Sequence, residues 1–470
     1  MYGMRFVHHV VLLFLIVSAG SLVAQVPDET ADQTGDLPGE PTATQAVRDS
    51  TPPEIEVWRE TLLYGINSEV AELLPRLTRE RRDELAPEVE ELFNTATDRR
   101  VLQAAAEYLR ALELPGGHQR AFLLVQEYFD RPSDLITTIL GYLRETKATP
   151  DEETREILRE ISRMEPPARA VAALRLYAAG TTDIEELVDL YRETLIPEDV
   201  QGQILVELGT RGDPRAFEFV AEIIGEDEEA TTVLQRYAID TLGKLGDERA
   251  IPIILRQLDS SDSMTRAYAV NALTGFDTVE TNRAILASLR DQFWRVRVAA
   301  LQTIAERALE EALPAVLYMM RRDPERRVRL EAIRTVGKLD DDRGWDVLLE
   351  RMADARTNLE ERSAMIDVAI RSNASRAVPA ILEIVQTEWD KSNSRVLDAI
   401  GRTVSTAEDR ALAPVVEQLL HHPNFIIQIY GARAAGRNTF SQYSEQLRAL
   451  SEDGVHRMIR DAASAALQRL

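Results

Sequence analysis

Four histidines lie beyond the first 24 residues of this chain, His118, His421, His422 and His456, and there is no cysteine. A metal site needs several His, Cys or carboxylate ligands converging on one point. The two histidines on one helix face with a glutamate that mark zinc peptidases are absent. His421 and His422 stand just before Pro423, in what reads as a loop between two helices, where adjacent side chains point apart and are expected to be solvated. Acidic runs such as Glu228 with Glu229, or Asp340 to Asp342, have the groups for general acid and base work. That chemistry needs a cleft that drives two pKa values apart, and runs placed in turns read as solvated instead. Neither a G-x-S-x-G elbow nor a glycine-rich phosphate loop is present. The expectation is a protein without catalytic, cofactor-binding or metal-binding residues, and not an enzyme.

Any such residue would have to be positioned by the surrounding elements, and these recur. TRAYAV from Thr265, VRVAAL from Val296 and VRLEAI from Val328 each place an Arg three residues before an Ala. Arg266, Arg297 and Arg329 thus recur at a nearly constant step, and Ala269, Ala300 and Ala332 keep it. A period of that length marks an array whose units bury their apolar faces only against their neighbours. The unit is plainest from Leu242 to Leu258. Gly246 supplies a left-handed helix end, Asp247 can accept from free amides of the next helix, and Pro252 falls early in that helix, where a missing N–H is tolerated. Ala250, Ile251, Ile254, Leu255 and Leu258 then form one apolar stripe, so the unit is a helical hairpin. Upstream, Asp213 stands one slightly longer step before Asp247; downstream, Pro314 follows Pro252 by two steps, and the alanine ruler continues through Ala364, Val396 and Gly431. Residues 201–470 read as one continuous array, with fainter copies at Leu102 and Ala168 extending it back to about Pro53.

GDERAIPIILRQL followed by TRAYAVNAL, and DPERRVRLEAIRTVGKL from Asp323, resemble HEAT repeats, in particular the short HEAT-like repeats of the phycobilisome-lyase type. The resemblance implies an all-α fold, a right-handed α-solenoid of stacked antiparallel hairpins (a HEAT-like or armadillo-like superhelix). It also implies a polar ladder made by the Arg before the alanine helix and the Asp between the hairpin helices. Gln235, Glu361 and Gln428 stand where the Arg is expected, so the ladder is expected to be interrupted there. One enzyme family with similar repeats, the deoxyhypusine hydroxylases, holds two irons with His-Glu pairs, and no His-Glu dipeptide occurs in this chain. The bilin lyases that share the repeat leave open an alternative, a lyase-like enzyme using the array to hold a prosthetic group.

A single globular core rarely grows past about 250 to 300 residues, whereas this chain has 470 and no linker rich in Gly, Ser or Pro after about residue 54. A solenoid lengthens its core with each repeat instead of thickening it. At the N-terminus, Arg5, an apolar run from Val10 to Val17 and small residues before Ala24 read as a secretory signal peptide over 1–24. Residues 25–53 are acidic, rich in Thr and Pro, and too poor in large apolar groups to offset the entropy of ordering, so a disordered linker is expected. Degenerate helical repeats over 54–200 and the clear array over 201–470 complete the organisation. The net charge of −24 disfavours nucleic acid as a partner, because phosphate binding needs a basic surface. The basic cluster Arg321, Arg322, Arg326, Arg327 and Arg329 reads as a solvated helix start, and Trp294 as an apolar staple onto the first turn of its helix.

The function expected from these features is a non-enzymatic protein-interaction scaffold, exported to the periplasm or beyond and possessing no cofactor. Membrane contact is expected only if the N-terminal segment stays uncleaved. The resemblance to HEAT repeats implies that the second helix of each hairpin forms the inner face, where a protein partner is expected to bind. Positions two residues after the ruler alanine point away from the core there, which singles out Asp240, Asn271, Gln302 and Arg334 as candidate contacts. The last helix, roughly Val455 to Leu470, mixes charged with apolar residues and reads as a terminal cap.

Overall fold

A computed structural model describes residues 54–470, apart from 132–133, 194, 226–230, 392 and 453–455. The expected signal peptide, the acidic linker and the Glu228 and Glu229 pair lie outside the described residues. Helix ends follow from local chemistry throughout. The Thr232–Leu245 helix begins where the Thr231 side chain accepts from the Leu234 N–H, and it ends at Gly246 with φ +67°. Asp247 then accepts from the Arg249 N–H at 2.9 Å and starts a short turn that leads into Ile251–Gln257, with Pro252 in its first turn. The same Asp device recurs before Pro214 and Gly344, with Asp213 and Asp341 accepting from the N–H two residues on at 2.9 and 2.8 Å.

The described residues form 25 α-helices and short turns of 3-10 helix, without a strand. The longest of them, Leu359–Glu388, is two helices, because Asn373 leaves helical geometry (φ −158°, ψ 84°) and its side chain accepts from the Arg376 N–H as a fresh cap. Counting its halves separately, the helices make thirteen hairpins. Each hairpin has an outer and an inner helix. Every successive pair of inner helices is in direct contact, from Asn67–Glu80 to Arg457–Leu467, whereas successive outer helices touch only sparsely. The inner layer is therefore the shorter one, and the array bends toward it. The contact ladder shows no break at residue 200.

The ruler alanines Ala269, Ala300 and Ala332 are fully buried between neighbouring inner helices. Small residues are needed there because the backbones come close: a Cβ on Gly243 would sit 2.7 Å from Ala272 Cα. The ruler slips at its next step, where Ala364 is only half-buried and Met365 and Ile366 fill the core. One continuous apolar cluster runs from Trp58 to Ala466. Among the described residues no helix is long and apolar enough to cross a membrane.

The polar ladder is more complete than the sequence reading allows. Arg266 and Arg297 each clamp an aspartate of the next loop with two hydrogen bonds, to Asp291 (2.8 and 2.9 Å) and Asp323 (2.9 and 2.8 Å). Each also donates to carbonyls of its own loop, Ser260 and Asp291 respectively. Where Gln235 breaks the motif, the neighbouring Arg236 reaches Asp262 at 2.9 Å. Glu361 serves the preceding rung, accepting from Arg329 at 2.8 Å in place of the loop aspartate. Four consecutive rungs result, because a long guanidinium tolerates a shift of one position and a long carboxylate replaces a short one offered from a loop. The expected interruption is thus corrected at Gln235, whereas at Glu361 the run of rungs ends on an acceptor.

Candidate partner-binding surface

The inner face is floored by small residues and walled by polar ones. Gly243, Ala272 and Gly275 bring the inner helices Thr232–Leu245 and Ser263–Ala272 close together, and the groove above them is open, of about 550 Å³. Asp240, Asn271 and Gln302 line it together with Lys244, Thr274 and Glu306. Asp240 is tied to Lys244 at 2.7 Å across one helical turn, while Asn271 and Gln302 are exposed. Thus three of the four residues expected from the sequence share one groove. Arg334 does not line it: it stands exposed on the Arg326–Leu339 helix and pairs with Glu331 at 2.9 Å.

Farther along the same face two more grooves, of about 600 and 590 Å³, meet at Ser405, Thr406 and Arg433. Arg371, Arg402 and Arg433 line them, each one repeat from the next. Sequence reasoning followed the buried alanine and passed over this row. The even step of these arginines was present in the sequence, but nothing there separates an exposed repeat position from a buried one.

The other residues singled out from sequence are structural. His422 is buried rather than solvated: its ring meets Trp389 edge-on at 4.7 Å, and its Nδ1 accepts from the Asn424 N–H at 3.0 Å. Asp291 and Asp323 accept from the N–H two residues on in the same way, at 2.7 and 2.9 Å. His422 is thus a cap in the ladder loop, and burial pushes its pKa down. His421 is exposed, its Nδ1 2.8 Å from the Glu417 carbonyl. His118 pairs with Thr146 at 2.7 Å, and its pKa too is lowered by burial. Asp340 accepts from the Trp345 indole N–H at 2.7 Å, and Asp341, hydrogen-bonded by the Arg343 side chain, is held down at about 2. Both carboxylates serve helix ends. The basic cluster is divided rather than uniformly solvated: Arg329 is a ladder rung, Arg326 pairs with Glu360, and Arg327 lies over the Trp294 ring at 4.7 Å. Trp294 is the first residue of its helix, half-buried against the core, with Arg295 also over its ring, at 4.8 Å. Among the described residues no group of three or more His, Asp or Glu is placed to hold a metal ion.

Repeated buried positions, a polar ladder and an unbroken inner layer are the marks of one kind of helical array. Residues 62–466 match the family described as spirochaete HEAT repeat protein. The chain belongs to that family. No curated protein matches it. Solved structures similar to this HEAT repeat protein include Kap95 in complex with Nup1, with a TM-score of 0.52 and 14% identity over 88% of this chain and 65% of that one. Yeast importin-β (Kap95p) is similar with a TM-score of 0.46 and 12% identity over 90% and 67%. The complex of CpcE and CpcF of the phycocyanin lyase from Nostoc is similar at 0.31 and 14% over 62% and 96%. At these identities the likeness to Kap95 concerns the solenoid fold.

Proposed function

We propose that this HEAT repeat protein is a non-enzymatic scaffold of the bacterial cell envelope or periplasm, which holds a protein partner along the inner face of its solenoid. One observation carries the proposal: open grooves follow one another along that face, and the polar lining of the groove at Asp240 differs from that of the two at Arg371 to Arg469 while small buried residues recur beneath them. A surface of this kind gathers many small contacts with an extended or convex partner. That Kap95, with the same fold, is seen in complex with Nup1 supports protein binding as the use of such a solenoid. Export rests on the apolar run before Ala24 and the small residues that precede the cut.

The test is crosslinking in the native envelope, with the captured partner identified, on wild type and on a variant carrying Asp240→Arg, Asn271→Arg, Gln302→Arg and Arg334→Glu. Loss of capture with unchanged helicity supports the assignment. Unchanged capture removes these four residues from the contact, and no captured partner at all overturns the scaffold. The mass of the mature N-terminus reports cleavage after Ala24. A visible chromophore or bound metal in the purified protein would favour the lyase-like alternative.

A further inference from the structure

The two joined grooves at the C-terminal end of the inner face carry a charge opposite to that of the whole chain. Their lining includes Arg371, Arg402, Arg433, Arg437 and Arg469 with Asp367 and Asp461, and Asp398 and Glu408 beside it pair with Arg402 and Arg437, which still leaves arginine in excess in a protein of net charge −24. Arg371 and Arg402 each rest on an aspartate one turn back, Asp367 and Asp398, both at 2.8 Å and both half-exposed. Ion pairs so exposed hold little energy, and their arginines can turn to a new carboxylate. Arg433 enters no ion pair among the described residues. The Tyr430 ring lies against Gly401, where a Cβ would come within 2.3 Å of it, and the Tyr430 hydroxyl donates to Asp398 at 2.9 Å. Ser363, Thr403, Ser405 and Thr406 add hydroxyls between the arginines.

Resting on the scaffold reading above, we propose that this row binds an extended acidic peptide with a carboxylate at every third residue. The reason is the spacing. Arg371, Arg402 and Arg433 sit on three successive inner helices, and packed helices lie about 8 to 10 Å apart. A polyproline II peptide has three residues per turn and rises about 3.1 Å per residue, so every third side chain returns to the same face after about 9.3 Å. Carboxylates in that register meet one guanidinium each, with the bidentate geometry arginine favours. A regular β-strand puts the third residue on its opposite face and breaks the match.

The probe is a fluorescent peptide of four Glu-Pro-Pro units, titrated by anisotropy at low salt against the full chain. A control has the same composition with its glutamates contiguous. The repeat peptide binds more tightly than the control, and affinity falls as salt rises. Arg433→Gln weakens binding about tenfold, and Arg402→Glu with Arg433→Glu at least about 100-fold. Arg356→Gln, which removes the same charge at an exposed position outside the grooves, leaves binding unchanged, and circular dichroism confirms that the variants fold. Equal binding of the contiguous control refutes the register. Equal displacement by a ten-nucleotide oligothymidine makes the row a general polyanion surface and overturns the peptide assignment. Absence of peptide binding, while crosslinking still captures a partner, overturns this inference and leaves the scaffold standing.

Discussion

Arg297→Ala is the sharpest test of how the hairpins are held in line. Arg297 and Asp323 are 8% and 7% exposed, the most deeply buried of the four rungs. The guanidinium makes two hydrogen bonds to Asp323, at 2.9 and 2.8 Å, and donates to the Asp291 and Gln292 carbonyls at 2.8 and 3.1 Å. Truncation leaves the carboxylate with the Glu325 N–H as its partner and takes a donor from both carbonyls. Removing one partner of a buried, hydrogen-bonded pair costs about 3 to 5 kcal/mol. The lower half of that range is expected here, because water can enter a loop at the edge of the solenoid. Arg356, paired with Asp354 at 3.1 Å but 91% exposed, is the internal control, and Arg356→Ala is expected to fall within measurement error. Urea unfolding gives the two differences. Since stability in such arrays is a sum of repeats and their interfaces, hydrogen exchange should show the loss concentrated between residues 291 and 339. If Arg297→Ala costs no more than Arg356→Ala, the ladder does not hold the stack and the reasoning fails.

Gly243→Ala improves helix propensity yet should destabilise by about 1 to 3 kcal/mol, since the added methyl meets Ala272 backbone atoms at 2.7 and 2.8 Å; an unchanged or raised melting temperature would show that the inner helices are free to separate. In acid, burial pushes the Asp291 carboxyl up but the Arg266 guanidinium outweighs it and holds it below the ordinary value. That contribution is present above the unfolded pKa of about 3.9 and is lost as pH falls through the lower folded value, so melting temperature should drop below about pH 4, and less steeply in Asp291→Asn. His422 titrates with its folded pKa depressed, so the unfolded chain gains a proton first as pH falls past about 6.5. Stability should therefore decline from pH 7 to 5, and His422→Asn should flatten that decline. Deleting residues 453–470 strips the Phe425–Arg437 helix of its neighbour, which packs as close as 2.7 Å from a Cβ built at Gly436; the truncated chain should aggregate, and a monomer of unchanged melting temperature would contradict the cap.

The hairpin was legible because its signals are local. Gly246, Asp247 and Pro252 each act within a few residues, and the three ruler alanines are buried as their period requires. The ladder was misread because a guanidinium reaches across a loop into the next repeat, and Arg236 does so from one position away. His422 looked solvated because its neighbour Trp389 belongs to the preceding repeat, far from it in sequence. Asp240, Asn271 and Gln302 could be placed on one face from helical period alone, since that period fixes the side that points away from the stripe. Their common groove depends on Gly243, Ala272 and Gly275 thinning its floor.

By itself, then, the sequence determined a stack of helical hairpins, its period and the side of each inner helix that meets solvent, because propensity, capping and apolar spacing act within one unit. Only the tertiary structure decided which side chains of different units become neighbours. The register between repeats sets whether Arg266 finds Asp291, and whether Arg371, Arg402 and Arg433 stand in a row. That register is fixed by the packing of small residues between inner helices one repeat apart, a contact that no local pattern records.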